Sequence, residues 1–224
     1  MFLLINKPKG VTSHDVIYFV RKITAEKKVG HAGTLDPNAT GLLIVGVGRS
    51  STKKLGWIAK DTKKTYEAEI FMGEERDTDD SEGRIISKNN NFSVPNEALL
   101  NKTLISFKGK QRQMPPVYSA IKIKGKKAYE LARKGKRVNL KERDVIIHSI
   151  ELLRYEYPIL DMRTTVSSGT YIRALARDIG KELGCGAYLR NLKRTIIGNF
   201  NLKNATGMDE LTANNWRNFA IEID

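Results

Sequence analysis

The chain has 224 residues, of which 40% are hydrophobic, and carries 39 Lys and Arg against 25 Asp and Glu, a net charge of +14. This length allows one domain with a substantial core, and a positive surplus of this size favours a polyanionic partner such as nucleic acid. Cys185 is the only cysteine, which excludes an internal disulfide, and no apolar run is long enough to span a membrane, so we expect a cytoplasmic protein.

Apolar periodicity and turn residues predict the following elements in chain order: a strand at 2–5, a helix capped by Ser13 and running to about residue 22, strands at 42–47 and 64–72, a helix at 95–107, strands at 117–123, 145–153 and 159–166, a helix at 170–183, and a strand at 194–200. The run at 42–47 is apolar throughout, which is typical of a strand buried on both faces. A short amphipathic helix through Leu211 and Trp216 is expected in the tail. These elements indicate one mixed α/β (α+β) domain at 1–203 and a short tail at 204–224 with no separate domain.

Residues 122–143, which we call the basic segment, concentrate positive charge. Only Glu130 and Glu142 oppose its ten basic side chains, which are Lys122, Lys124, Lys126, Lys127, Arg133, Lys134, Lys136, Arg137, Lys141 and Arg143. Such clustering is typical of a nucleic-acid-binding surface, and the alternative is an ordinary solvated face. We predict that Lys126 and Lys127 contact nucleic acid.

The loop at 30–41, GHAGTLDPNATG, contains the most suggestive acidic residue. It includes three glycines and an Asp36-Pro37 step. Pro37 keeps Asp36 out of the helical region, and the glycines permit tight backbone geometry. The loop can therefore hold a catalytic carboxylate in one orientation. Equally, Asp36 can form an Asx turn with its own backbone, and the loop alone favours neither interpretation.

Arg173 is the second candidate. It lies in the first turn of the predicted helix at 170–183, where the helix dipole disfavours a cation, so an anion should lie nearby. That anion is either a catalytic carboxylate or a phosphate or structural carboxylate. Other sites are excluded by pattern, since the chain has no P-loop and no zinc motif, and residues 77–83 depart from a calcium-binding loop.

Five segments in this order closely resemble the bacterial tRNA pseudouridine synthase B family. They are KPKGVTS at 7–13, the loop at 30–41, RDTD at 76–79, MPPVYSAIK at 114–122 and SGTYIR at 168–173. The resemblance covers about residues 1–200. It implies a pseudouridine-synthase-type catalytic domain with a mixed, largely antiparallel central sheet flanked by helices. Members of this family commonly continue into a small C-terminal RNA-binding domain, which we do not expect in a chain ending at Asp224.

The resemblance also implies a reaction. The family isomerises the T-loop uridine at position 55 of tRNA to pseudouridine, with neither metal nor organic cofactor. Asp36 would be its catalytic carboxylate, acting as nucleophile or as base, and Arg173 would orient and neutralise it. The expected partner is the T stem-loop of tRNA, and the protein is expected to be a monomer that flips the target base out of the stack.

The remaining site residues also follow from the resemblance. Tyr66 would stack on the flipped uracil and assist proton transfer, a role compatible with an inward position on an alternating strand. His31 would fill the space that the base vacates or stack in the RNA, and Leu192 would line the uracil pocket. Lys7 and Pro8 would support the loop at 30–41.

Two rival functions remain open. A non-catalytic RNA-binding protein would explain the charge but not the combination of Asp36, Tyr66 and Arg173. A synthase that modifies ribosomal RNA would share the chemistry. Such synthases usually have Arg before the Leu-Asp pair and Ser-Gly after it, whereas this chain has Thr34 before the pair and Thr40-Gly41 after it. The tRNA branch is therefore favoured.

Overall fold

The computed structural model describes residues 1–89, 91–123, 125–136 and 138–223. Lys124 and Arg137 of the basic segment and Asp224 of the predicted tail lie outside these residues. The strands are β1 Phe2–Lys7, β2 Val29–Ala32, β3 Thr40–Val47, β4 Lys64–Met72, β5 Glu74–Arg76, β6 Ile85–Lys88, β7 Gly109–Gln113, β8 Lys122–Ile123, β9 Lys126–Lys127, β10 Arg143–Glu156, β11 Ile159–Val166, β12 Ala187–Ile197, β13 Phe200–Asn201 and β14 Ala220–Ile221. The helices are α1 Ser13–Thr24, α2 Arg49–Lys60, α3 Glu97–Ser106, α4 Ala128–Arg133 and α5 Ile172–Glu182.

The chain divides into two compact units. The first contains Met1–Glu67 and Leu192–Asp224, and the second contains Ala68–Asn191. In the first unit β14, β1, β3 and β12 lie side by side in that order. β1 runs antiparallel to β14 and β3, whereas β12 runs parallel to the start of β3. β2 pairs antiparallel with the later residues of β3.

Both faces of β3 are covered within the first unit, as its uninterrupted apolar sequence predicts. Leu43 and Val45 pack with α1 and with Leu211 and Trp216 of the tail. Leu42 and Ile44 on the opposite face pack with Leu55 and Ile58 of α2 and with Ile197. Fully covered strands favour continuous apolar runs, because neither face meets water.

Helix α1 begins at Ser13, but its N-cap is Thr12. The Thr12 hydroxyl accepts from the Asp15 backbone N–H at 3.0 Å, and the Asp15 carboxylate accepts from the Thr12 backbone N–H at 2.9 Å. This reciprocal pair is a capping box, which satisfies two N–H groups at the helix start. The prediction that Ser13 caps the helix is therefore wrong, and its side chain is used elsewhere.

The tail contains no amphipathic α-helix in its described part. A 3-10 turn at Leu202–Asn204, another at Trp216–Phe219 and the short strand β14 occupy it. Leu211 and Trp216 are buried, so the predicted apolar contacts are present, but the helical backbone is not. β14 adds to the edge of β1, whereas local turns bond the backbone near Leu211 and Trp216, where the Trp216 N–H donates to the Thr212 carbonyl at 3.2 Å.

The second unit is built around the long antiparallel pair β10 and β11, with β7 on the other side of β10. α3 contacts β10 and α5. β10 and β11 confirm the strands predicted at 145–153 and 159–166, and α5 confirms the helix predicted at 170–183 although it begins two residues later. The strand predicted at 117–123 is wrong except for its last two residues, because residues 117–121 are irregular.

The fold-class prediction of a mixed, largely antiparallel central sheet with flanking helices is confirmed. The sequence patterns missed α2 entirely. Only Ser51, Leu55 and Ile58 of this helix are buried, so its apolar stripe is narrow, and Gly56 lowers its helix propensity. None of the helices in the described part of the chain has the length and apolar composition needed to cross a bilayer.

Candidate active site

The loop at 30–41 connects β2 to β3 in the first unit and presents Asp36 on a tight turn. The Ala39 N–H donates to the Asp36 carbonyl at 3.0 Å, which closes a turn with Pro37 in its second position. Before the turn, the Ser13 hydroxyl donates to the Leu35 carbonyl at 3.1 Å and accepts from the Leu35 N–H at 2.9 Å. Ser13 thus fixes both backbone polar groups of Leu35. Asp36, which is half-buried, is the next residue in the chain.

Lys7 holds the same turn from the end of β1. Its ammonium donates to the carbonyls of Pro8 at 2.9 Å, of Pro37 at 3.0 Å, and of Val11. The side chain is fully buried, and burial lowers the pKa of Lys7 to about 8, although the charge of Asp36 acts to raise it. All three N–H groups are directed at main-chain carbonyls, so Lys7 fixes the backbone on which Asp36 is carried.

Arg194 of β12 is a buried cation that sequence reasoning missed. It is 1% exposed, and its guanidinium donates to the carbonyls of Leu42 at 2.8 Å and Gly33 at 3.0 Å, one on each side of the turn. A Cβ on Gly41 would lie 2.3 Å from the Arg194 carbonyl oxygen, so only glycine allows this approach. The Thr40 hydroxyl donates to the Leu192 carbonyl at 3.3 Å. The start of β12 therefore fixes the end of the loop.

His31 lies on β2 at the entrance to the loop. Burial, followed by the charges of Arg194 and His14, lowers the pKa of His31 from 6.5 to about 4, so the ring is neutral at pH 7. Its ring centroid lies 6.5 Å from that of His14 in an edge-to-face arrangement. Within the described residues, its buried Nδ1 has no hydrogen-bond partner. This half-buried, uncharged ring has the properties of a surface that contacts a base.

Tyr66 and Leu192 belong to the first unit as well. Tyr66 is an inward-facing residue of β4, whose burial alternates from that position onwards as the sequence predicts. The Thr195 hydroxyl donates to the Thr65 carbonyl at 3.3 Å, which links β12 to the residue before Tyr66. Leu192 is half-buried, and its carbonyl accepts the bond from Thr40 described above.

Arg173 lies in the second unit, at the second residue of α5, and the anion expected beside it is present. Its guanidinium lies 3.3 Å from a carboxylate oxygen of Asp80, and donates to the carbonyls of Thr78 and Tyr118, both at 3.0 Å. Arg173 is 6% exposed. It therefore joins residues 78–80 to the segment at 114–122, and its partner Asp80 was visible in the sequence only as part of an acidic run.

Arg177 repeats this connection one helical turn later. It donates to Asp79 at 2.9 Å and to the Met114 carbonyl at 2.9 Å. Burial raises the pKa of Asp79 to about 6, against the opposing effect of Arg177 and Arg173. Asp79 and Asp80 belong to a turn at 76–83, which begins with Arg76. The Arg76 guanidinium lies 2.8 Å from a carboxylate oxygen of Glu74 and 4.4 Å from the ring centroid of Tyr188. Three arginines thus hold this acidic turn.

The basic segment, also in the second unit, opens with a short hairpin of β8 and β9 followed by α4. Lys126 is exposed and Lys127 is partly covered, with its ammonium 5.4 Å from the ring centroid of Tyr129. Arg133 approaches the same ring at 5.5 Å. Among the described basic residues of the segment, most side chains are exposed, as a polyanion-binding surface requires.

The predicted site residues are distributed between the two units. Lys7, His31, Asp36, Tyr66 and Leu192 belong to the first, where hydrogen bonds join Lys7 and Leu192 to the loop of Asp36. Arg173, Lys126 and Lys127 belong to the second unit. A pair between Asp36 and Arg173 stays a prediction.

Comparison with known proteins identifies the family. A family model described as TruB family pseudouridylate synthase (N terminal domain) matches residues 21–172, and one described as tRNA pseudouridylate synthase B C-terminal domain matches residues 173–222. The predicted boundary at residue 203 stays a prediction.

Individual relatives agree. The tRNA pseudouridine synthase B of Dehalococcoides mccartyi (strain CBDB1) is 47% identical over 94% of this chain and 69% of its own length. That of Clostridium kluyveri is 40% identical over 99% of this chain and 75% of its own. A solved H/ACA RNP bound to a substrate RNA containing 2'-deoxyuridine matches with a TM-score of 0.70 at 26% identity, over 99% of this chain and 56% of that one. The chain therefore belongs to the TruB family of pseudouridylate synthases.

Proposed function

We propose that this protein isomerises a uridine of tRNA to pseudouridine, and that its target is the T-loop uridine at position 55. Family membership and the names of the curated relatives support the substrate class. The solved relative that holds a substrate RNA supports an RNA target for this fold. The net charge of +14 is consistent with a polyanionic substrate.

Asp36 is the proposed catalytic carboxylate. The reaction breaks the C1′–N1 bond, turns the uracil and forms a C1′–C5 bond, after which the C5 proton is lost and N1 gains one. As nucleophile, the carboxylate would attack C1′ and expel the uracil anion, then leave when C5 attacks. As base, it would remove the C2′ proton to give a glycal and later return it. Both routes need the carboxylate beside the ribose, so the base must leave the stack.

The observation that carries this proposal is the way the turn of Asp36 is held. Ser13 fixes Leu35, Lys7 fixes Pro37, and Arg194 fixes the flanks of the loop. Holding a reacting group in place before the substrate arrives removes an entropic part of the barrier. An Asx turn with no catalytic role would need no such convergence of two buried cations and a buried hydroxyl.

The other site residues take supporting roles in the proposal. Tyr66 stacks on the extruded uracil, Leu192 lines its apolar edge, and neutral His31 occupies the place that the base has left. Arg173 neutralises the carboxylate. Lys126, Lys127 and the rest of the basic segment bind the RNA backbone. We further propose that the protein acts in the cytoplasm as a monomer.

Release of tritium from tRNA transcript labelled at uracil C5 tests the proposal, because only replacement of the C5 proton releases the label. The purified protein should release one equivalent from wild-type transcript and none from transcript with cytidine at position 55. A pure RNA-binding protein would release none from either. Faster release from a ribosomal RNA fragment than from tRNA would favour the ribosomal rival.

A further inference from the structure

The outer face of α2 carries an exposed tryptophan among cations. At about 100° per residue, Arg49, Lys53, Gly56, Trp57 and Lys60 fall within an arc of about 100° on this helix. All five are exposed, and Trp57 is 55% exposed. The opposite face packs against the core through Ser51, Leu55 and Ile58. The residues of the arc, which we call the α2 stripe, are therefore directed to solvent.

The charge of the stripe has one sign. The helix sequence RSSTKKLGWIAK contains no Asp or Glu. Among the described residues, none of the carboxylates forms an ion pair with Arg49, Lys53 or Lys60. Arg49 also lies in the first turn, the end at which the helix dipole disfavours a cation. Lys60 lies in the last turn, where the dipole favours a cation, so helix stability accounts for Lys60 but not for Arg49.

Gly56 points to a ligand that approaches closely. Glycine inside a helix is destabilising relative to alanine, so Gly56 does not serve the stability of α2. A Cβ at Gly56 would meet nothing within 4 Å, which excludes a packing reason inside the protein. The missing side chain leaves backbone surface open on the same arc of the helix as Trp57.

We propose that the α2 stripe is a second RNA-binding surface of this protein, on which the cations contact phosphates and a nucleobase or ribose stacks on Trp57 over Gly56. An exposed aromatic ring within a cationic surface is the combination that single-stranded and loop nucleotides recognise. The inference rests on the proposed function for the identity of the RNA, a tRNA substrate.

The stripe lies on the helix that supports the start of the loop at 30–41. A Cβ on Gly30 would come within 3.0 Å of Leu55 Cδ1, so the inner face of α2 packs directly on β2. One helix diameter, about 10–12 Å, therefore separates the stripe from that strand. RNA bound on the stripe would give the first unit a contact with substrate beyond the residues around Asp36.

Gly56→Gln is the most diagnostic variant. Because Gln favours the helix, Tm should rise by about 1–3 °C, whereas its side chain should cover the space beside Trp57 and weaken tRNA binding severalfold. A purely structural role for this position cannot raise Tm and lower affinity together. Trp57→Leu should weaken tRNA binding by about tenfold through loss of stacking.

Charge and fluorescence provide independent measurements. Neutralising Arg49, Lys53 and Lys60 to Gln should flatten the plot of log affinity against log salt by about two units, whereas neutralising the exposed Lys22, Lys27 and Lys203 should change it less. Trp57 is the exposed tryptophan, since Trp216 is 3% exposed, so tRNA should protect the emission of the parent protein from acrylamide.

The outcomes separate the two proposals. Unchanged affinity, salt slope and acrylamide quenching, in a protein that releases tritium from tRNA, would overturn the stripe and leave the proposed function standing. A parent protein that binds tRNA through the stripe but releases no tritium would overturn the proposed function alone. A blue shift of Trp57 on anionic phosphatidylglycerol vesicles, with no response to tRNA, would also overturn the inference.

Discussion

Two loops of this protein are held by buried or partly buried cations, but in different ways. In and around the loop at 30–41, both cations donate to main-chain carbonyls. Lys7 donates to three carbonyls and Arg194 donates to two. At 76–83, Arg76, Arg173 and Arg177 approach carboxylates of Glu74, Asp80 and Asp79 as well as carbonyls. The first arrangement fixes the path of the backbone, whereas the second also balances charge with charge.

The difference has a physical consequence. Buried cations that donate only to carbonyls keep their positive field. Burial is the main cause that lowers the pKa of Lys7 and of His31, and the charge of Arg194 lowers both further. Such a field attracts the carboxylate of Asp36, whose charge acts in turn on Lys7. In the turn at 76–83 the paired carboxylates cancel most of the positive field of the arginines. We therefore expect changes in the first loop to act mainly on catalysis and changes in the turn to act on structure as well.

Asp36→Asn should have the largest effect. The amide keeps the shape of the carboxylate but removes the reacting charge, so turnover of tRNA should fall by about a thousandfold or more while affinity changes by a few-fold. Tritium release and filter binding measure the two quantities. Asp61→Asn, at the exposed end of α2, is the matched control. Clear turnover by pure Asp36→Asn protein would sink the catalytic assignment.

Arg173→Lys should follow, with kcat lowered by about a hundredfold, because an ammonium cannot reproduce a planar guanidinium that reaches three partners. Arg177→Lys is the matched control one turn later on the same helix. The Arg177 side chain is 26% exposed against 7% for Arg173, so water can replace part of what it loses. Equal losses for the two variants would show that both act only by holding the turn at 76–83.

Arg194→Lys should be milder. Lysine can reach only one of the two carbonyls that flank the turn, which should lower the free energy of unfolding by about 2 kcal/mol, or Tm by roughly 5 °C. A displaced Asp36 should lower kcat by about tenfold with little change in KM. Arg190→Lys, at an exposed position of the same strand, is the control. A loss of Tm without a loss of kcat would make Arg194 purely structural.

The pH dependence of stability should show the smallest effect, with opposite signs in the two loops. The pKa of His31 in the folded protein, about 4, lies below its ordinary value of 6.5. The contribution of His31 to the free energy of unfolding is therefore complete above pH 6.5 and is lost as pH falls through 4. The folded pKa of Asp79, about 6, lies above 3.8, so its contribution is present below pH 3.8 and is lost as pH rises through 6.

Urea unfolding at a series of pH values measures this difference. In the parent protein, His31 should lower the free energy of unfolding by about 1–2 kcal/mol as pH falls from 6.5 to 4, after allowance for the partial exposure of the ring. His31→Gln should remove this fall. Asp79→Asn should remove a change of similar size and opposite sign. If both variants had the pH profile of the parent, neither loop would be coupled to protonation.

Local pattern determined much of this protein from its sequence. The apolar run of β3, the alternation of β4 and the stripe of α5 each express burial within a few residues, and they are found where predicted. The loop at 30–41 was also visible, because Pro and Gly restrict the backbone wherever they occur. The family resemblance carried by the motifs is confirmed, whereas the role of Asp36 stays a prediction.

Tertiary structure decided the rest. Arg194 contacts Gly33 across 161 positions of the chain, and no local pattern distinguishes this buried arginine from an exposed one. Ser13 holds Leu35 because Thr12 takes the cap, and Asp80 is distinguished from its acidic neighbours only by Arg173. The tail pairs with β1 and does not form a helix. In each case the partner of a polar group or strand edge lies far along the chain, and only the folded chain brings the two together.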